Sequence, residues 1–501
     1  MDIEKIPTAQ PADEAAVEPK LLSREYDVAN QILADAAQFA DEEFTPEEDK
    51  RLRWKIDWHL IPIMTICATL NGVDKVSVST AALYGFQDDL NLHGNQFSWV
   101  GSIIYFGGLL FLIPTSWAMH HFPIGKYYAA NIILWGAIEM IMAACHNFGG
   151  IMACRFLLGG LEACSTPAIT IVYTMFYTKA EQPMRNTITF GAYSSVINGL
   201  IGYGIGFIPA GSGSLLSWRW LFIVLGGVTV IWGTFVFFYL PDNPGNARWL
   251  TTREKALVVR RVQQNQTGIE NKVWKWYQVR ECLLDYRTWI LFFYIIGVTI
   301  PNGGLNTFNG LVIKSLGFTS HTTTLLQIPT GIFSTLAAVV ASVFAARTSR
   351  FRTVIMAVVL LIPIIGTVLN KATSRDNSGA RLAGVYLIYT FYAGYCTSLS
   401  MYQANVSGHT KKVAVSFLMY LAYAVGNIVG PQTFIASQAP EYVGGITAML
   451  VSYCVCIVLA LALGFSYYRE NKARKVDAAD HEGTDFLDMT DKENKAFVYT
   501  S

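Results

Sequence analysis

Arg155-Phe156-Leu157-Leu158-Gly159-Gly160-Leu161-Glu162-Ala163-Cys164 places an arginine and a glutamate in the middle of an apolar run long enough to cross a bilayer. Seven residues is about two helical turns, so the two charges lie on nearly one helix face, roughly 10 Å apart along the axis. Charge at that depth is expensive and normally faces a bundle interior or a water-filled cavity. Gly159 and Gly160, between the charges, let another helix pack closely. Two readings fit: a face lining a solute pathway, or a buried ion pair that holds helices together. The rarity of intramembrane charge without function favours the pathway.

The remainder of the chain has the composition of a membrane protein. Of 501 residues, 52% are hydrophobic and only 15% charged, with the charges gathered in short blocks between long apolar runs. The formal net charge of +1 leaves no electrostatic footprint for nucleic acid. The eight cysteines are scattered, with no CxxC pair and no Cys/His ligand spacing, so no metal, cofactor or disulfide is expected. No nucleophile or histidine constellation suggests an enzyme. Residues 1–49 carry no signal peptide, are strongly acidic and read as a disordered cytosolic tail with a short helix around 27–39. The tail after Tyr468 begins basic, turns acidic and is expected to be solvated.

A spanning helix needs about 20 mostly apolar residues. Twelve stretches qualify: 56–83, 96–119, 126–145, 148–177, 186–208, 218–240, 288–312, 322–346, 353–371, 382–403, 413–437 and 444–468, numbered here as spans 1 to 12. The longest polar interruption, 241–287, divides them six and six. The fold expected is therefore all-α and integral to the membrane: a tail (1–50), a six-helix half (51–240), a cytosolic loop (241–287), a second six-helix half (288–468) and a second tail (469–501). Two such halves are the major facilitator architecture. Lys and Arg crowd the loops on the side of the termini, which predicts both termini in the cytosol. In the central loop, Thr251-Thr252-Arg253-Glu254 can form a capping box that opens an amphipathic helix.

Span 1 holds Asp74 and Lys75, and span 4, running the other way, holds Arg155 and Glu162. Helix rise brings Asp74, Lys75 and Arg155 to comparable depth. Neighbours on a helix point about 100° apart, so one of Asp74 and Lys75 can face the cavity while the other braces a helix. Two cations and two carboxylates suit transport of an anion coupled to protons: a guanidinium captures a carboxylate in bidentate fashion, and a buried carboxyl can carry a proton. The four could equally neutralise one another as a gate. Glu139 in span 3 is a further charge that lines the cavity or snorkels. Asn302, Asn306 and Asn309 share one face of span 7, beside Pro301, Gly303 and Gly304, and read as a bendable, cavity-lining gate or as interhelix hydrogen bonds. Gln327, Tyr389, Tyr392, Gln403 and Asn427 are weaker candidates. Trp99, Tyr105, Tyr193 and Phe308 could stack on an aromatic substrate.

At these residues the chain resembles a known family. Asp74-Lys75, the span 4 stretch quoted above, Leu240-Pro-Asp-Asn-Pro-Gly-Asn-Ala-Arg248-Trp-Leu-Thr after span 6, and Gly426-Asn427-Ile-Val-Gly-Pro431-Gln-Thr-Phe434 in span 11 look like the allantoate permease family of fungi. That family is the anion:cation symporter branch of the major facilitator superfamily, and the likeness covers roughly residues 50–470. Many relatives have Asp-Arg in span 1; Asp-Lys is closer to the allantoate permease subgroup. The resemblance implies a plasma-membrane symporter, a monomer, for small organic anions such as ureides, nicotinate, pantothenate or biotin. It implies Lys75 and Arg155 as substrate-anion residues and Asp74 and Glu162 as proton-coupling residues; Asn302 and Asn306 join the substrate-binding candidates from their shared face of span 7. The loop between spans 2 and 3 departs from the facilitator pattern in lacking its Asp, and the signatures of drug antiporters and sugar porters are absent. Export of an organic acid or secondary metabolite, and a nutrient sensor with little flux, are the competing functions.

Overall fold

The structure is a computed structural model that describes residues 45–178, 181–208, 215–263, 274–348, 351–374, 376–474, 489–494 and 497–500. The helix expected around 27–39 lies outside them. All regular elements among the described residues are helical. Each of the twelve predicted spans falls on helix, and among the described residues eight helical stretches, short breaks included, are long and apolar enough to cross a membrane.

Span 1 is longer than its apolar stretch, running unbroken over Pro46–Ala81. Thr45 and Glu48 make a reciprocal capping box and Pro46 occupies the first turn, so the polar residues before Ile56 are drawn into the helix. Span 4 is broken. Phe148–Glu162 ends at Ala163 and the helix resumes as Ser165–Phe176. Pro167 supplies the reason, because it cannot donate to the carbonyl of Ala163 and its ring crowds that carbonyl. Glu162 therefore sits at the end of a helical segment. Span 9 breaks between Arg352–Val358 and Leu361–Ala372, four residues before Pro363, for the same cause. Span 7, by contrast, stays one helix over Tyr286–Lys314 with Pro301 inside it.

Glycine lets the spans cross at backbone contact. A Cβ on Gly159 would stand 1.9 Å from the Ile104 carbonyl oxygen, and one on Gly107 would stand 2.0 Å from that of Phe156. This joins span 4 to span 2, Gln96–His121. Span 11, His409–Gln432, meets span 7 in the same way: a Cβ on Gly426 would collide with Thr299 Oγ1 at 2.0 Å, and one on Gly430 with the Ile300 carbonyl at 2.3 Å. The Gly-Asn-Ile-Val-Gly motif is thus a packing surface.

Three hydrogen bonds between the halves lie toward the end of the bundle away from the termini, and a further one, Ala192 N–H to Thr335 Oγ1 at 3.0 Å, lies deeper. Ser102 Oγ donates to the Ile428 carbonyl at 2.9 Å, Gly310 N–H to Ser79 Oγ at 2.7 Å, and Ser320 Oγ to the Leu83 carbonyl at 3.0 Å. At the other end the central loop forms two helices, Thr252–Gln263 and Trp276–Leu284. The predicted capping box is present: Thr251 N–H donates to Glu254 Oε2 at 2.8 Å and Glu254 N–H to Thr251 Oγ1 at 3.3 Å. Partial burial pushes the Glu254 carboxyl up, but Lys55 and the Thr251 N–H outweigh it and hold the group below its ordinary value. Between the spans 2 and 3, where the family Asp is lacking, Asp242 from the end of span 6 accepts from the Lys126 N–H at 3.2 Å. One expectation fails. The end of the second tail is not solvated, because Thr490, Asp491 and Tyr499 are buried.

Candidate functional site

Span 1 divides its two charges between directions. Asp74 is 1% exposed and points into the first half, while Lys75 keeps 22% of its side chain exposed. Lys75 Nζ lies 3.1 Å from Glu162 Oε2 and donates to Asn71 Oδ1 at 2.6 Å. Asn71 Nδ2 in turn donates to Glu162 Oε2 at 2.9 Å, closing a three-residue ring. Asn71 is one turn before Lys75 on the same face, a spacing legible in the sequence that the reading of charges alone passed over.

Arg155 is also 1% exposed. Its Nη1 donates to the backbone carbonyl of Asp74 at 2.8 Å, tying span 4 to span 1, and its Nε has no hydrogen-bond partner. Arg155 is therefore not forked onto a carboxylate. The Asp74 carboxyl adjoins those of Glu139 and Glu162. Neither oxygen of Asp74 nor of Glu139 has a hydrogen-bond partner. Glu139, 1% exposed, does not snorkel; it belongs to the buried charge cluster. The structure thus brings together Asp74, Lys75, Arg155 and Glu162, and adds Glu139 and Asn71.

The asparagines of span 7 separate. Asn302 Nδ2 donates to Asn427 Oδ1 at 2.8 Å, an interhelix bond to span 11. Asn306 and Asn309 line a small chamber with Ser79, Ser195, Asn198 and Gln327. Asn198 Oδ1, Asn309 Oδ1 and Gln327 Nε2 are buried there without partners. Ser79 is four residues beyond Lys75, so the chamber begins about 6 Å further along the same face. Of the aromatic candidates, Tyr105 stands by the cluster, its ring 6.0 Å from that of Tyr423 in span 11. Trp99 and Tyr193 are exposed, and Phe308 is buried against Phe97, Phe434 and Tyr442. No group of three or more metal-ligating side chains occurs among the described residues.

Twelve helical segments crossing at glycines around a buried set of charges define a membrane transporter, and the sequence comparisons say which kind. Residues 64–431 match the model of the Major Facilitator Superfamily, and the chain belongs to that family. Within it, the chain falls in the allantoate-permease-like branch. It is 41% identical to the MFS-type transporter cnsL of Penicillium expansum, over 96% of this chain and 94% of that one. It is 37% identical to the allantoate permease of Saccharomyces cerevisiae, over 98% and 94%, and 32% identical to the thiamine pathway transporter THI73 of that yeast, over 95% and 91%. Among solved structures, a bacterial homologue of the human lysosomal transporter Spinster matches with a TM-score of 0.64 at 16% identity, covering 81% of this chain and 96% of that one. The protein is a multi-pass membrane transporter and not an enzyme.

Proposed function

We propose that this transporter carries a small organic anion into the cell together with protons, by alternating access about the cluster of Lys75, Arg155, Asp74, Glu139 and Glu162. The observation that carries the reading is the Lys75–Glu162–Asn71 ring, because it couples two loads through one cation. A substrate carboxylate arriving at the partly exposed Lys75 competes with Glu162 for Nζ. Glu162, released from its partner, then takes a proton. Asp74 and Glu139 extend the proton path. Ionised carboxylates only accept hydrogen bonds, so two adjoining ones satisfy each other only when one is protonated. Arg155 adds positive charge behind Lys75 and holds the two helices in register.

The chamber beyond Lys75 has room for little more than a water as it stands, so its lining suggests only the polarity of a substrate that would enter on opening. Its unpartnered amides offer both acceptors and a donor, which suits a molecule with a hydrogen-bonding body behind its carboxylate. The name of the yeast relative, allantoate permease, accords with such a molecule. Asn306 belongs to this chamber; Asn302 acts through its bond to span 11. The boundaries at 50, 240, 287 and 468, cytosolic termini, residence in the plasma membrane and a monomeric state complete the proposal.

The test is uptake in yeast lacking its own allantoate-type permeases, with a panel of labelled carboxylates and ureides at acid and neutral pH, with and without a protonophore. Saturable uptake of one anion, faster at acid pH and abolished by the protonophore, is expected. No uptake by protein confirmed at the cell surface would overturn the reading and turn attention to efflux from preloaded cells.

A further inference from the structure

The last described segment of the chain is seated in the second half of the molecule as a peptide in a receptor. Asp491 Oδ1 accepts from Lys411 Nζ at 2.7 Å and from the Ser407 N–H at 3.4 Å, and its Oδ2 takes the Tyr499 hydroxyl at 2.7 Å. Lys411 is 1% exposed, and its remaining carboxylates come from Glu281 at 2.8 Å and Asp285 at 3.6 Å. Thr490 Oγ1 donates to Glu281 Oε2 at 2.9 Å and accepts the Glu493 N–H at 3.1 Å.

Two asparagines clasp the backbone. Asn471 donates to the Tyr499 carbonyl at 2.7 Å and accepts its N–H at 2.9 Å. Asn405 does the same for Thr500, at 2.9 and 2.8 Å. Arg474 Nη1 donates to the carbonyls of Asp491, Asn494 and Phe497. The Tyr499 ring stacks on Tyr467 with centroids 5.0 Å apart, and the Arg287 guanidinium lies 4.8 Å from its face. Backbone clasps hold an extended segment of any sequence, whereas Asp491 and Tyr499 specify this one.

These contacts reach four separate pieces of the molecule: the second connecting helix through Glu281, the start of span 7 through Arg287, the corner between spans 10 and 11 through Asn405 and Ser407, and the end of span 12 through Asn471 and Arg474. We infer that residues 489–494 and 497–500 form a detachable strap, an intramolecular peptide ligand that binds these pieces into one body and so sets the rate of transport. Alternating access rocks one half against the other as largely rigid units. A corner and a connecting helix left loose do not move with the rest. The strap touches neither Lys75 nor Arg155, so its release lowers the maximal rate and spares the KM. Release is achieved by charge: a carboxylate at position 490 would meet Glu281 where the hydroxyl now donates to it.

Hydrogen–deuterium exchange on the full-length protein in detergent reads the docking directly, since the N–H groups of Ser407, Glu493, Tyr499 and Thr500 are all bonded in it. In the wild type, 489–494 and 497–500 should exchange far more slowly than an unstructured peptide. Asp491→Asn and Thr490→Glu should each accelerate exchange about tenfold or more there, the loss expected for a charge-assisted bond. They should also accelerate it at 405–411 and leave spans 2 and 4 unchanged. The same variants should lower the maximal uptake rate with KM unaltered. Exchange of the wild-type segment at the unstructured rate would overturn the strap whatever the variants do. Strap release with an unchanged maximal rate would overturn its role in transport. The exchange measurement is independent of the substrate, so failure of the symport proposal would not be mistaken for failure of the strap.

Discussion

Glu162→Gln tests whether one cation serves two masters. The Lys75–Glu162 pair at 3.1 Å attracts by about 5 kcal/mol at an effective dielectric of roughly 20. Glutamine keeps an oxygen that can accept from Lys75 and from Asn71, so the loss is the charge and not the contact. Lys75 is 22% exposed on its side chain and regains part of that loss from water. A net loss of about 2–3 kcal/mol is reasonable, below the figure for removing one partner of a fully buried pair. An incoming carboxylate then no longer has to displace Glu162, so KM should fall by roughly thirtyfold or more. Proton coupling should be lost at the same time, because position 162 can no longer take a proton. The assay is labelled uptake over a range of substrate concentrations at acid and neutral pH, with counterflow exchange from preloaded vesicles alongside. The expected result is a low KM, intact exchange and net uptake indifferent to the proton gradient. A KM unchanged from wild type, with uptake still following the gradient, would refute both the competition and the coupling role of Glu162.

Other substitutions separate the remaining roles. Arg155→Lys keeps the charge but shortens the reach to the Asp74 carbonyl; it should lower the maximal uptake rate about tenfold or more, whereas Lys75→Gln should act first on KM, as a concentration series would show. Gly159→Val puts a side chain where even a Cβ meets the Ile104 carbonyl at 1.9 Å. Spans 2 and 4 must then part, at a cost of about 1–3 kcal/mol or more, read as a lower thermal midpoint in detergent and reduced surface expression. Lys55→Ala should lower the thermal midpoint at neutral pH through loss of the 2.8 Å bond to Glu254. The folded-state carboxyl titrates below its ordinary value of 4.5, so its contribution is present above that pH and fades as pH falls through the lower folded value. The difference between wild type and variant should narrow over that acid range.

Hydropathy carried the fold because a bilayer imposes one length and one polarity on every crossing helix. The breaks in spans 4 and 9 were equally available, in Pro167 and Pro363, to a reading that followed proline as well as hydropathy. The depth argument that placed Asp74, Lys75 and Arg155 together needed only helix rise and opposite strand direction, and the Arg155–Asp74 contact bears it out. What sequence could not supply was facing. Glu139 lies in an apolar span with no periodic partner, and only the packing of span 3 turns it toward Asp74 rather than toward lipid. Phe308 is packed among Phe97, Phe434 and Tyr442 for the same reason, since side-chain direction follows from which helices become neighbours. The docked tail was invisible for another cause. Its partners are more than 200 residues away in places, 209 for Thr490 and Glu281, and polar composition reads as solvated wherever the partner is unknown.

The exposures within the charge cluster order its events. Lys75 is the one member of the five with substantial access, while Asp74, Arg155 and Glu139 are each 1% exposed and Glu162 is 6% exposed. In the proposed symport a substrate anion would meet Lys75 before Arg155, which would act on it at longer range through the field behind the ring. Protons need no such access, because adjoining carboxyls pass them without a substrate-sized opening. In the proposed cycle Asp74 would serve as a relay between Glu139 and Glu162, while its backbone carbonyl, and not its carboxylate, satisfies the arginine. That choice of acceptor leaves the carboxylate free to change charge without breaking the tie between spans 1 and 4. The cluster can then gain and lose protons through a transport cycle while the crossing of spans 2 and 4 at Gly107 and Gly159 keeps the first half intact.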